Sequence, residues 1–405
     1  MVKSIPIWQK IMLGLIFGAI AGPLLGVWIV YIKPIGELFL TAIKMLVLPL
    51  IFVSLVAGIS SIGNMNKMGR IGIKTVVMYL LTTALAIPIG LLIAVLIEPG
   101  ANMGLILSSA VSSEPESAGA SFLDLIPVNP FTAFATGNTL QVIVFSILLG
   151  IAATAAGEKA KPFIEVIHSL SAIVNKLIEI VIALAPYGVF ALVAVVTAQY
   201  GLDVILPLVK LIFGVYIGCL VHAFVVFGGL IKFACNLSVS QFFRGIFEAQ
   251  LVAFSTTSAA GTLPVTMRCS HHNHGVSKDV AGFVLPVGAT VNMDGTALYQ
   301  ALCAVFIAQA YGLSLEPEQY ALIFTTTILA SIGTAAVPAG GLVVLSMVLT
   351  TVGLPLEGVA LIAGIDRILD MARSTVNVTG DAVIALVVAK SEQSLDQGVY
   401  YAKAE

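Results

Sequence analysis

The segment DRILDMARSTVNVTGD, residues 366–381, sits inside an apolar run, with GVALIAGI before it and AVIALVVA after it. On a helix turning about 100° per residue, Asp366, Asp370, Arg373, Ser374, Asn377 and Asp381 fall within an arc of about 100°. That face carries three carboxylates, a guanidinium, a hydroxyl and an amide, and Arg367 lies just off its edge. Ionisable groups at membrane depth are costly, so they usually face a cavity and serve a ligand or ion. The alternative is the solvated face of a soluble helix, and the apolar flanks speak against it. The stripe reads as a binding site.

Composition carries the membrane premise. Of 405 residues, 59% are hydrophobic and 10% charged, against about 25% charged in soluble domains. Mean hydropathy is +1.07. A net charge of -2 and the lack of a basic run point to no nucleic-acid partner. Cys219, Cys235, Cys269 and Cys303 are scattered among apolar residues, a spacing of neither a disulfide framework nor a zinc motif. A signal peptide would have a shorter apolar core before a soluble body. Here MVKSIPIWQKIMLGLIFGAIAG simply runs on, so it reads as a first membrane span.

Spans of about 20 apolar residues or more can be marked off along the first half. They run from about Pro6 to Ile32, Gly36 to Ile62, and on to Ile97 after a loop with Lys67, Arg70 and Lys74. A polar connection from Pro99 to Leu125 holds Glu114, Glu116 and Asp124. A fourth span, Pro127 to Ala156, is interrupted by Pro130, Gly137 and Asn138; a fifth runs from Ile173 to Thr197 and a sixth from Val204 to Phe233. Positive charges mark cytoplasmic loops. Lys3 with Lys10, Lys67 to Lys74, Lys159 with Lys161, and Lys232 with Arg244 fall on one side, and the acidic loop around Glu114 on the other. Both termini then come out cytoplasmic.

Beyond about Ser240 the pattern changes. LVAFSTTSAAGTLPVTM (251–267) and TTTILASIGTAAVPAGGLVVL (325–345) are apolar segments broken at their centres, each with a Ser, then Gly-Thr, then a Pro. Two helices with tolerated Gly and Pro are the plainer reading. Irregular backbone at membrane depth survives only where protein or water satisfies it, and paired interrupted segments point to a transporter's substrate site. Between them, PVGATVNMDGTALYQALCAVFIAQAYG (286–312) packs Gly288, Thr290, Asn292, Asp294, Gly295 and Thr296 into an apolar span. Asn, Asp and Gly favour turns. A helix unwound there would offer carbonyl and carboxylate oxygens, which suit hard cations.

NMDGTALYQ, GTLPVTMR, SIGTAAVP and DMARSTVNVTGD together resemble the glutamate/aspartate transporter family, the dicarboxylate/amino acid:cation symporters. KMLVLPLIFVSLV, YLLTTALAIPIGL and GNTLQVIVFSILLGIA extend the resemblance over nearly the whole chain. It implies an all-α polytopic membrane protein of about eight transmembrane helices and two re-entrant hairpins in inverted repeats, the hairpins at Ser240 to Ser270 and about Tyr320 to Leu349. It also implies a homotrimer in the cell membrane, in contact with lipid, each protomer transporting alone. A scaffold (1–69 and 101–200) would stay fixed while a transport domain (70–100 and 201–395) slides, leaving a cytoplasmic tail at 396–405.

Residue by residue, the resemblance gives Arg373 to the substrate's side-chain carboxylate, Asp370 to its amino group and Asn377 to its backbone carboxylate. Ser374 stands where relatives often have Thr. Thr296 and the backbone around Ser258 and Val337 would complete the pocket. Asp381 with backbone oxygens of Gly288, Asn292 and Asn377 resembles one sodium site. Thr290 and Met293 with Ser331, Ile332 and Thr334 resemble a second. Tyr79, Thr82, Thr83, Asn292 and Asp294 resemble a third. Plain dicarboxylate carriers lack the aspartate and neutral amino acid carriers lack the arginine, so aspartate or glutamate is the expected substrate. Proton-coupled relatives often have Asn at the position of Asp381, so sodium is the expected coupling ion, with the proton as its alternative.

One departure stands out. Relatives often carry a further arginine at the first hairpin's tip or just after the amino-binding aspartate, where this chain has Thr257 and Met371. Arg367, one turn before Met371, is expected to reach that region instead. Cys269, His271, His272 and His274 resemble a metal tract only at first sight, and His168 and His222 read as structural. An intramembrane aspartyl hydrolase would need two carboxylates sharing a proton, which Arg373 beside Asp370 would spoil. A passive channel would use the same cavity without a coupled gate. The expectation is a carrier rather than an enzyme.

Overall fold

The computed structural model describes residues 7–62, 69–101, 103–105, 126–201, 205–332 and 340–401. Among these the regular structure is helical, apart from one β-bridge between Val276 and Leu395.

The first half follows its local breakers. Helix α1 (Ile7–Leu25) passes through a tight 3-10 turn, Gly26–Tyr31, into α2 (Lys33–Ile62), and α3 spans Gly69–Ile97. The interruption expected at Pro130, Gly137 and Asn138 is a helix boundary. Asn129 caps α4 (Pro130–Thr136) by accepting from the Phe131 N–H at 2.9 Å, and Gly137 ends it at φ 79°. Asn138 then caps α5 (Thr139–Ala156) through the Gln141 N–H at 3.1 Å. The expected fifth span is cut at Leu184, giving α6 (Lys161–Ala183) and α7 (Ala185–Tyr200). Pro186 has no N–H, so it suits the first turn of a new helix and cannot prolong the old one.

The second half is built from broken pairs. Helix α8 (Ile205–Val221) widens into π turns at His222–Phe227 and Leu230–Ala234. Helices α9 (Val239–Thr256) and α10 (Ala259–His272) turn at Thr257 and Ser258. Helices α11 (Lys278–Val291) and α12 (Asp294–Ala310) are parted only by Asn292 and Met293. Then come α13 (Pro317–Ile332), α14 (Gly340–Val352), the 34-residue α15 (Gly358–Ser391) and the short α16 (Gln397–Tyr401).

The helices sort into two packing groups. In one, α2 lies against α5, α6 and α7, and α1 runs along α7, where the Thr197 hydroxyl donates to the Gly18 carbonyl at 3.2 Å. In the other, α15 is the axis, touching α8 to α12 and α14, while α3 lies along α12 and α8. The groups meet where α13 and α14 approach α2, and where α15 approaches α7 and α1. Five described helical runs are long and apolar enough to cross a membrane. Phe17, Leu24, Leu96, Phe213 and Phe233 point outward, whereas α12 is almost wholly buried. Such an apolar exterior suits hydrocarbon and not water.

Candidate functional site

Helix α15 holds its whole charged stripe inside the protein. Asp366, Asp370, Arg373, Ser374, Asn377 and Asp381 are each 5% exposed or less. A buried charge is tolerable only when it is paired and hydrogen-bonded, and Arg373 is. Its Nε donates to Asp370 Oδ1 at 2.8 Å, and Nη1 and Nη2 donate to the two oxygens of Asp366 at 2.9 and 3.4 Å. The Ser374 hydroxyl also donates to Asp370 Oδ1, at 2.9 Å, and the Tyr299 hydroxyl to Asp366 Oδ1, at 3.1 Å. The guanidinium lies 4.6 Å from the Tyr299 ring centroid, within cation–π range. Gly341, at the start of α14, leaves room for it, since a β-carbon there would strike the guanidinium.

The break in the α11–α12 pair supplies the facing wall. Helix α11 ends with the Asn292 N–H on the Gly288 carbonyl, and α12 starts with the Ala297 N–H on the Met293 carbonyl. The first N–H groups of a helix lack partners inside it; that of Gly295 donates to Asn377 Oδ1 at 2.8 Å. Asn377 Nδ2 reaches Thr296 Oγ1 at 3.1 Å and the Met293 sulfur at 3.2 Å. So Asn377 ties the charged helix to the unwound turn.

Oxygen atoms gather around that turn. Asn292 Nδ2 donates to Asp381 Oδ1 at 2.9 Å and lies 3.5 Å from the Asn377 carbonyl. A β-carbon on Gly288 would collide with Asp381 and with the Tyr79 hydroxyl, which itself donates to the Val284 carbonyl at 2.9 Å. The Thr83 hydroxyl donates to Asp294 Oδ1 at 2.5 Å, and Thr82 Oγ1 lies 3.5 Å from Asn292 Oδ1. Thr82, Thr83, Asn292 and Asp294 are all buried. The fold thus brings together the residues of the first and third expected cation sets. Neutral and anionic oxygens with no nitrogen or sulfur ligand among them are a donor set that fits a hard cation.

Only part of the second set falls on the described residues. The hydroxyl of Thr290 is held by the Val287 carbonyl at 3.0 Å and that of Ser331 by the Ile328 carbonyl at 2.7 Å, each within its own helix. Ile332 is the last residue of α13, and Thr334 and Val337 lie outside the described residues. Ser258 caps α10, accepting from the Gly261 N–H at 3.0 Å. Arg367 does reach the tip of the α9–α10 pair. Its Nη2 donates to the Ser255 carbonyl at 2.8 Å, and Nη1 meets Thr257 Oγ1. It so satisfies carbonyls at the negative end of the α9 dipole.

Sequence reasoning did not see three of these partners. Asp366 was visible in the stripe but had no task, and Tyr299 stood unread in NMDGTALYQ one turn beyond Gly295. His222 gave no signal beyond a histidine in an apolar run. In the structure its Nε2 lies 3.1 Å from Asp294 Oδ2, with both side chains fully buried. Of the other histidines, His271 and His274 make contacts that hold the chain, whereas His168, expected to be structural, is exposed. His271 Nδ1 is 2.9 Å from the Val276 carbonyl, and His274 stacks on Phe242. Among the described residues no three His, Cys, Asp or Glu side chains gather as a metal site.

A family model described as the sodium:dicarboxylate symporter family matches residues 7–391. The chain belongs to this family. It is 37% identical over 398 residues to the proton/sodium-glutamate symport protein of Bacillus caldotenax, covering 95% of this chain and 94% of that one. It is 36% identical over 415 residues to the proton/glutamate-aspartate symporter of Escherichia coli, covering 96% and 93%. The C4-dicarboxylate transport protein of an Anaeromyxobacter strain is 34% identical over 401 residues, covering 96% and 91%. These relatives, like the family, are named for transport and not for an enzymatic reaction. The charged stripe is thus the buried polar centre of a glutamate/aspartate and C4-dicarboxylate symporter family member.

Proposed function

We propose that this symporter carries an acidic amino acid, L-aspartate or L-glutamate, on a sodium gradient. The observation that carries the reading is the Asp370–Arg373–Asp366 cluster. Two carboxylates face one guanidinium, so the cluster has one negative charge in excess. A plain dicarboxylate brings only more negative charge, whereas an acidic amino acid brings an ammonium that Asp370 can hold. Arg373 has five N–H donors, and three are engaged among the described residues. One of the others would go to the substrate's side-chain carboxylate as a charge-assisted hydrogen bond. Asn377 and Thr296, with Ser258 and Val337 at the two hairpin tips, would hold the backbone carboxylate.

Sodium is cargo in this reading. Asp381, Asn292, Asn377 and Gly288 would take one ion; Tyr79, Thr82, Thr83, Asn292 and Asp294 another; and Thr290, Met293, Ser331, Ile332 and Thr334 a third beneath the second hairpin. Each ion offsets a buried carboxylate or closes the hairpin over the substrate. Substrate and ion therefore raise each other's affinity by the same factor. We place the protein in the cell membrane as a multi-pass homotrimer with cytoplasmic termini. The α1–α2–α5–α6–α7 group would be the fixed scaffold, and the group around α15 would slide past it as an elevator. What supports that division is the sorting of helix contacts into two groups.

The rival is proton coupling, favoured by the name of the Escherichia coli relative. Proteoliposome uptake of labelled L-aspartate, L-glutamate and succinate, with sodium and proton gradients imposed separately, decides between them. Sodium-driven aspartate uptake, poorly competed by succinate, is expected. Uptake on a proton gradient alone would overturn sodium coupling but leave the substrate assignment. A preference for succinate would overturn the role of Asp370.

A further inference from the structure

His222 stands where α8 loosens into a π turn, a kind of irregularity frequent at functional sites. Its ring is fully buried and packs edge-on against Phe227, with centroids 4.6 Å apart. One nitrogen, Nε2, faces Asp294 Oδ2 at 3.1 Å, while Nδ1 has no partner among the described residues. Asp294 is thereby gripped from two helices, with Thr83 of α3 donating to Oδ1 and His222 of α8 meeting Oδ2. A carboxylate accepts, so the proton of a neutral imidazole belongs on Nε2 and Nδ1 carries the lone pair. The buried nitrogen left without a partner is then an acceptor and not a donor, the less costly arrangement.

We propose that His222 is a positioning residue for the cation set of Tyr79, Thr82, Thr83, Asn292 and Asp294. By holding Oδ2 it keeps the Asp294 carboxylate in one orientation, with Oδ1 turned to the Thr83 hydroxyl of α3 before any ion arrives. The inference rests on the proposed sodium reading. Partners that orient a metal-binding side chain are typically worth about 10- to 100-fold in metal affinity. A group that only fills space would not follow the chemistry of its nitrogen.

The test uses the purified full chain and two readouts that need no transport. These are equilibrium binding of labelled L-aspartate across sodium concentrations, and the rise in melting temperature when sodium replaces choline without substrate. His222→Phe keeps the ring against Phe227 and deletes the donor. It should raise the sodium concentration for half-maximal binding by about tenfold or more and shrink the sodium-dependent rise in melting temperature. His222→Gln places an amide N–H near the position of Nε2 and should stay within about threefold of wild type. A Phe variant with wild-type sodium dependence overturns the proposal, and so does a Gln variant as impaired as Phe. If the Phe variant does not fold, His222→Asn replaces it, because its shorter amide falls short of Asp294; wild-type behaviour in Asn overturns the proposal as well. Sodium-independent binding in the wild type would instead remove the cation set, and the task of His222 with it.

Discussion

At the middle of α15, Arg373 and its two aspartates sit buried, and every charge meets an opposite charge or a hydroxyl. At the end of the same helix, Glu392 is bonded by Arg70 and Lys74 of α3, and Lys74 also reaches Ser391 Oγ at 3.1 Å. Arg70 there is largely exposed. Lys74 and Arg70 hold the Glu392 carboxyl below the usual carboxylate range. Both clusters pair basic groups with carboxylates, and the surroundings differ. Glu392 itself is mostly covered, but Arg70 and Lys74 reach water, and a pair whose cation water serves well gains little. Breaking a buried pair strands a charge and costs about 3–5 kcal/mol. The middle of the helix is thus where a substrate's charges can matter, and its end is where two helices are merely tied.

The strongest way to break this contrast is Arg373→Ala. Losing the guanidinium should cut aspartate binding by at least about 100-fold, the low end of the buried-pair range, as measured by equilibrium binding. A loss below tenfold would make Arg373 a structural ion rather than the substrate's anchor. Next comes Asp381→Asn, expected to raise the sodium concentration for half-maximal binding by about tenfold or more. Unchanged sodium dependence would remove Asp381 from the cation sites.

The turn between α10 and α11 holds a buried group of its own. Burial pushes the His274 imidazole down to about 4, while its Nε2 keeps the Phe242 carbonyl at 3.0 Å. Between pH 6.5 and about 4 the unfolded chain binds a proton there that the folded chain refuses. Stability should therefore fall as pH drops through that window, by about 1.4 kcal/mol per unit for this group, and level off below it. Denaturation at several pH values should show a shallower slope in His274→Gln. Equal slopes would mean that other groups govern the acid side.

Arg367→Ala sharpens the comparison from the edge of the stripe. It frees carbonyls at the end of α9 that water can partly serve, so substrate affinity or uptake rate should fall about two- to fivefold. No change in either would mean that the contact at the hairpin tip is incidental. The smallest effect is expected from Glu392→Gln, with uptake within about twofold of wild type. A large loss would show that the α3–α15 tie takes part in the transport cycle.

Much of the candidate site was legible because its signals are local. A 3.6-residue period suffices to place six polar residues on one face of α15. Asn292, Asp294 and Gly295 announce an unwound turn by their own conformational preferences, and Pro130, Gly137 and Asn138 announce a helix boundary. The cut at Leu184 was also within reach, since Pro186 marks it. An apolar run of the right length masks it as one span.

What the sequence by itself determined is the membrane character, the charged face, the broken helix and the family, because hydropathy, periodicity and motif spacing are properties of neighbours along the chain. What only the tertiary structure decided is who meets whom. That Asp366 grips Arg373, that Tyr299 lies beneath it, that His222 and Thr83 hold Asp294 from two helices, and that Arg367 reaches the α9 tip depend on packing between distant segments. A buried charge must find a partner, but the chain does not say locally from which helix that partner comes.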